Sequence, residues 1–140
     1  MSKGEWSSQV EIEIPFHDVD LMAIVWHGHY CKYLEIARCA LLDSINYNYQ
    51  QMRESGFNWP VIDLQIRYIN PAQFGQKIRV AAHLVEWEHR LKIQYLISDS
   101  LSGKRLSKAY TVQVAVNQHT QELCLLSPTV LWNKLGLDKP

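Results

Sequence analysis

The chain has 140 residues, 47% hydrophobic and 20% charged, which excludes a disordered chain and suits a single domain over residues 1–140. Its 14 Lys and Arg balance its 14 Asp and Glu, so no basic excess recommends nucleic acid, and a near-zero net charge favours self-association. Cys31, Cys39 and Cys124 lack C-x-x-C spacing, MSKGEWSSQVEIEI has no apolar signal segment, and no apolar run reaches the ~18 residues of a membrane helix; a cytoplasmic chain without a membrane span is expected.

The first element is a strand, with Val10, Ile12, Ile14 and Phe16 alternating with Glu11 and Glu13. A long helix is expected over HYCKYLEIARCALLDSINY, where Tyr30, Tyr33, Leu34, Ala37 and Leu41 fall at helical spacing. Ile36, Cys39, Ala40 and Leu42 leave only a narrow stripe for Lys32, Glu35 and Arg38. A helix so apolar must be enclosed. Gln50–Gly56 reads as a short second helix or a lid.

Four strands follow. Val61–Asn70 places Leu64, Ile66 and Tyr68 on one face, and Ile78–Trp87 alternates Ile78, Val80, Ala82 and Leu84. Leu91–Ser98 repeats the pattern, and Leu106–Val116 sets Tyr110, Val112, Val114 and Val116 on one face. Short gaps between the last three imply antiparallel hairpins. Pro128–Leu135 reads as a short terminal helix. The order defines an α+β fold, an antiparallel sheet of five or six strands wrapped around one long helix. Ala81, Val85, Trp87, Leu96, Ala109 and Ala115 are expected on the outer face, too apolar for water throughout, which implies a dimer or tetramer.

The chemistry concentrates in HDVDLMAIVWHGHY, residues 17–30. Asp18 and Asp20 stand where the first strand runs out, and the apolar run Leu21–Trp26 implies a partly buried segment, not a surface turn. The run ends at His27-Gly28, where the helix presents its first N–H groups. Such a terminus suits a developing oxyanion, and a nearby carboxylate could serve as nucleophile or general base. A turn-forming or capping Asp is the plainer reading. His17, Asp18, Asp20, His27 and His29 also include zinc-ligand types, although residues two apart at a helix start diverge. Cys31 and Cys39 fit buried structural positions.

The stretch Asp18-x-Asp20-x-x-Ala23-Ile24-Val25-Trp26-His27-x-x-Tyr30, followed by Glu35-x-Ala37-Arg38, resembles the hotdog-fold acyl-CoA thioesterases of the 4-hydroxybenzoyl-CoA thioesterase type. It is most similar to the bacterial Tol–Pal-associated branch. Tyr68-x-x-Pro71-Ala72-x-x-Gly75 matches a second signature, and the resemblance spans about residues 9–118.

The resemblance implies a helix-in-sheet fold assembled as homodimer or homotetramer with sites between subunits. It makes Asp20 the catalytic carboxylate, and it gives the backbone N–H at His27 the task of polarising the thioester carbonyl. His27 itself would orient Asp20, water or substrate, with Trp26 and Gly28 beside the substrate. Arg90 and Lys92 would correspond to the basic residues that hold the coenzyme A nucleotide, although Glu88 is inserted among them. The implied substrate is therefore an acyl thioester of coenzyme A or of an acyl carrier protein, with no cofactor beyond the substrate's own coenzyme A or phosphopantetheine, and no metal. The family's usual Gly is Ala23 here, and its usual Asn is His29. A non-catalytic acyl-thioester-binding protein and a His/Asp metal-dependent enzyme remain the alternatives.

Overall fold

A computed structural model describes residues 6–140. Strand β1 (Trp6–Glu13) has half-buried Trp6, Ser8, Val10 and Ile12 alternating with exposed neighbours. It runs antiparallel to β4 (Lys77–Glu86), with Val10 opposite Val80 and Ile12 opposite Ile78. Strands β5 (Leu91–Asp99) and β6 (Arg105–Gln113) continue the meander, and β3 (Val61–Tyr68) closes it, giving the five-stranded order β1-β4-β5-β6-β3. A two-stranded ribbon pairs β2 (Phe57–Asn58) with β7 (Val116–Asn117). The β5–β6 turn is held by Asp99 Oδ1, which accepts the N–H groups of Leu101 and Ser102, with Gly103 at φ 77°.

Helix α1 (Tyr30–Ser44) packs on β1 and β4, and the core lies between it and the sheet. It ends earlier than the apolar spacing predicts. Asn46 turns left-handed at φ 59°, its N–H reaching Asp43 O and that of Tyr47 reaching Leu42 O, which is a Schellman ending. Helix α2 (Tyr49–Glu54) starts from an Asn48–Gln51 capping box, and α3 (Thr129–Lys134) ends the fold.

The enclosure of α1 is narrower than expected. Tyr30, Tyr33, Leu34, Ala37, Leu41 and Leu42 are buried, but Ile36 and Cys31 are exposed and Cys39 is half-buried. Arg38, expected on the polar stripe, is instead buried because Tyr49 Oη and Glu35 Oε2 accept its N–H groups.

Strand β6 also reverses the expected facing. Leu91, Ile93, Tyr95 and Ile97 point inward and pair with Gln113, Thr111, Ala109 and Ser107, so those four face α1, while Tyr110 is half-buried and Val112 buried on the opposite side of the strand. The Tyr95 hydroxyl bonds Thr111 Oγ1 at 2.7 Å, and Gln113 Nε2 donates to Trp59 O at 2.8 Å, which satisfies much of this polar face. Ala109 and Ala115 are consequently buried in the core, and Trp87 packs edge-on against Trp6. The apolar outer positions shrink to Ala81, Val85 and Leu96. Exposed apolar side chains gather instead on β3 and just beyond it, at Ile62, Leu64, Tyr68 and Ile69. Among the described residues no helix is long and apolar enough to cross a membrane.

Candidate active site

Residues 19–25 form a small loop closed by its own backbone. Asp20 N–H reaches Ile24 O at 2.9 Å, Ala23 N–H reaches Asp20 O at 3.0 Å, and Val19 bridges Val25. The base is clamped from two sides, Trp26 N–H donating to Asp18 O and Val25 N–H to Ala72 O. Ala23 holds φ 61°, a left-handed conformation that explains why glycine suits this position, and its carbonyl accepts Phe74 N–H. The loop is less buried than its composition implies: Val25 is enclosed, whereas Leu21 and Met22 stand fully out at the tip.

Asp20 Oδ1 accepts Met22 N–H at 2.8 Å and Ile24 N–H at 3.4 Å, which fixes the carboxylate and leaves Oδ2 without a partner among the described residues. Asp20 lines a cavity of about 290 Å³ together with Trp26, His27, Tyr30, Tyr68 and Asn70. A short 3-10 turn, His27–His29, leads directly into α1, so the N–H groups of His27 and Gly28 open a continuous helical segment. First-turn N–H groups have no intrahelical acceptor, and the macrodipole adds partial positive charge there. The cavity therefore joins an acceptor carboxylate to a donor terminus.

Trp26 folds back over Gly28. A Cβ on Gly28 would stand 2.2 Å from Trp26 Cζ3 and 2.5 Å from Cη2, so only glycine leaves room for the indole. The His27 and His29 rings lie 5.2 and 5.4 Å from it. Two tyrosines complete the wall: Tyr68 Oη donates to His27 O at 3.1 Å, and Tyr30 Oη accepts Ala72 N–H at 3.1 Å. Both stand in the motifs singled out from the sequence, but their bracing role depends on β3 crossing the helix start, which spacing does not reveal.

Asp18 has a different task from Asp20. Its buried carboxylate accepts Lys32 Nζ and the Tyr33 hydroxyl, with His29 Nδ1 3.8 Å away and His17 Nε2 at 3.6 Å. Burial alone would raise its pKa, but these donors and the Lys32 charge hold it below the ordinary aspartate range. Burial, and then the same hydrogen bond to Asp18, push the Tyr33 phenol up. His29 thus braces Trp26 and faces Asp18. Among the described residues no three His, Cys, Asp or Glu side chains converge as a metal would require.

Arg90 and Lys92 are not brought to this cavity. Arg90 donates to both oxygens of Glu86 at 3.0 Å, and Lys92 Nζ lies 3.7 Å from the same carboxylate and 4.6 Å over the Tyr110 ring.

An antiparallel sheet packed on one long helix, with a carboxylate loop at the helix start, defines the hotdog class of α+β proteins. Residues 14–133 match the model of the thioesterase-like superfamily, and the chain belongs to that family. A sequence relative is the "Putative acyl-CoA thioesterase YneP" of Bacillus subtilis (strain 168), 35% identical over 49% of this chain and 50% of that protein. The chain spans about half the length of the curated relatives it matches. Two solved structures share the fold. The hypothetical protein TT1821 of Thermus thermophilus has a TM-score of 0.81 at 25% identity, over 92% of this chain and 97% of that one. Slr0204, a 1,4-dihydroxy-2-naphthoyl-CoA thioesterase from Synechocystis, has a TM-score of 0.82 at 21% identity, over 93% and 96%.

Proposed function

We propose that this protein hydrolyses acyl thioesters of coenzyme A, or of an acyl carrier protein, to a free acid and a thiol. The observation that carries the reading is the shared cavity of Asp20 and the helix start at His27. The thioester carbonyl oxygen takes the N–H groups of His27 and Gly28. Asp20 Oδ2 removes a proton from water as the water oxygen bonds to the carbonyl carbon, or attacks that carbon itself to give an acyl-aspartyl anhydride that water then hydrolyses, freeing the acid and the carboxylate. The negative charge moves onto the carbonyl oxygen, where the helix terminus stabilises it, and collapse breaks the C–S bond. A thiolate with a pKa of about 8–9 leaves without a strong general acid, so the site needs few groups. His27 orients water or substrate, and Trp26, seated on Gly28, walls the acyl group. No cofactor is invoked beyond the substrate's own coenzyme A or phosphopantetheine.

Assembly as a homodimer or homotetramer belongs to this reading. The outer edge of β3 carries no pairing strand among the described residues, Tyr68 and Ile69 are exposed at the cavity, and Leu64 is exposed further along the strand. The direct test is thiol release from a panel of acyl-coenzyme A, acyl-carrier and acyl-pantetheine substrates. Turnover that survives EDTA and fails in Asp20→Asn supports the reading. Binding without turnover across the panel would assign the non-catalytic role, and loss on chelation would favour a metal-dependent enzyme.

A further inference from the structure

A groove of about 520 Å³ lies on the outer face of the sheet, away from α1. Its lining includes Arg67, Arg105, Lys108 and His83, together with Gln94 and Tyr110, and contains no carboxylate. The strand register makes this arrangement costly. Arg67 of β3 stands directly opposite Lys108 of β6, two cations on one face in a position where like charges repel. Four cations elsewhere are paired, Lys32 with Asp18, Arg38 with Glu35, and Arg90 and Lys92 with Glu86, whereas others, such as Arg79 and Lys104, stand without an ion pair among the described residues but outside this groove. Among the described residues no acidic group comes within ion-pair distance of Arg67, Arg105 or Lys108. The nearest carboxylate identified at the groove's edge is Asp63, which accepts the Tyr110 hydroxyl.

The groove also adjoins the cavity. Tyr68 walls the cavity, and Arg67, its neighbour in β3, points to the other face. Asn70, another cavity residue, donates through Nδ2 to Arg105 O at 2.8 Å, so the two sites meet where β3 ends and β6 begins. A second copy seated face to face by a two-fold axis would set this patch against itself, adding cations to cations. A ligand bearing several negative charges relieves the repulsion.

We propose that the groove built by Arg67, Arg105 and Lys108, with His83 at its side, binds the phosphates of the nucleotide half of a coenzyme A thioester whose acyl end occupies the Asp20 cavity. The inference rests on the thioesterase reading but assigns the nucleotide to residues other than Arg90, whose guanidinium is already held by Glu86. Arginine offers a planar fork to phosphate oxygens, and lysine adds a point charge, so the pair suits a multiply charged phosphate group. The pantetheine arm crosses beside Asn70.

The test measures binding without turnover. Coenzyme A, pantetheine and adenosine 3′,5′-bisphosphate are titrated calorimetrically into the full chain and into the double variant Arg67→Gln/Lys108→Gln. Both residues are exposed, and a melting curve checks that the variant folds. The expected result is that coenzyme A and the bisphosphate bind the parent more tightly than pantetheine does. The variant should lose about tenfold affinity for both nucleotides and none for pantetheine. In the parent alone, nucleotide affinity should fall steeply with added salt. Equal affinity of the parent for coenzyme A and pantetheine, or an unchanged variant, overturns the proposal. A variant that raises KM only for an acyl carrier protein overturns it too, by making the groove a reader of an acidic protein surface. Nucleotide binding that depends on Arg67 without any hydrolysis would instead remove the thioesterase reading and leave the groove standing.

Discussion

Lys32 sets its Nζ 2.7 and 2.8 Å from the two carboxylate oxygens of Asp18, tying the start of α1 to the short 3-10 turn Phe16–Asp18 just before the Asp20 loop. The Asp18 carbonyl meanwhile accepts Trp26 N–H, so one residue holds the loop's base through its backbone and the helix through its side chain. Asp18→Asn keeps the shape but weakens two charge-assisted bonds. A loss of about 1–2 kcal/mol in urea-unfolding free energy is expected. The effect on kcat should be much smaller than that of the same change at Asp20.

The same pair sets a pH dependence. A carboxyl held below its unfolded value of about 4 contributes stability that is fully present above that pH. The contribution is lost as pH falls through the lower folded value. Unfolding curves between pH 5 and pH 2, compared for parent and Asp18→Asn, should therefore converge as the medium becomes more acid. Curves that stay parallel would deny Asp18 its charged role.

Asp20→Asn isolates chemistry from folding, since Asn can still accept Met22 N–H through its side-chain oxygen. A fall in kcat of at least about 100-fold is expected, the scale of a lost general base, with acyl-thioester binding largely kept. Steady-state kinetics beside an equilibrium titration reads both quantities. Parent-like turnover in a well-folded variant would end the mechanism.

Gly28→Ala tests the indole seat. Its Cβ cannot share space with the Trp26 ring, so the ring must swing away from the helix start. A change in acyl preference across the substrate panel is expected, and Trp26→Ala should change it in the same direction. A preference unaltered by both variants would remove Trp26 from the acyl wall.

Ala23→Gly removes a left-handed alanine at φ 61°. The conformation costs a β-carbon-bearing residue about 1 kcal/mol, so a gain of up to about 1 kcal/mol by urea titration is expected. Parent-like or lower stability would mean that loop entropy outweighs the relieved strain.

Light scattering of the parent at micromolar concentration should give a mass of two or four chains. Charged substitutions at Leu64 and Ile69 on the β3 side should shift it toward one. A monodisperse, active monomer would remove the assembly reading.

Much of the fold was legible because period-two and helical spacing are local signals. β4 and β5 carry clean alternation and their inward sets match the structure, as do Val10 and Ile12 of the first strand and Ile14 just after it, but Phe16 lies beyond β1 in a 3-10 turn and is exposed. β6 was misread because both its faces carry small or apolar residues, and its facing is decided by the polar contacts of Thr111 and Gln113. The loop Leu21–Trp26 read as partly buried because apolar composition does not reveal whether neighbouring chain covers it. That Asp20 and His27 line one cavity could not be read from spacing, because it depends on how the loop folds back on the helix start. Tyr68 at His27 O, and the commitment of Arg90 to Glu86, depend on distant segments meeting.

The polar inner face of β6 bears on how the strand finds its partner position. A slip by one residue would exchange the two faces of β6, turning half-buried Tyr110 toward α1, and because both faces carry apolar residues hydrophobicity alone would barely resist it. The bonds Tyr95–Thr111 and Gln113–Trp59 exist only in the native alignment. They act as keys that reject the shifted pairing, so Thr111→Val, although apolar and similar in size, would loosen the alignment of the whole sheet edge that carries β3 and Tyr68.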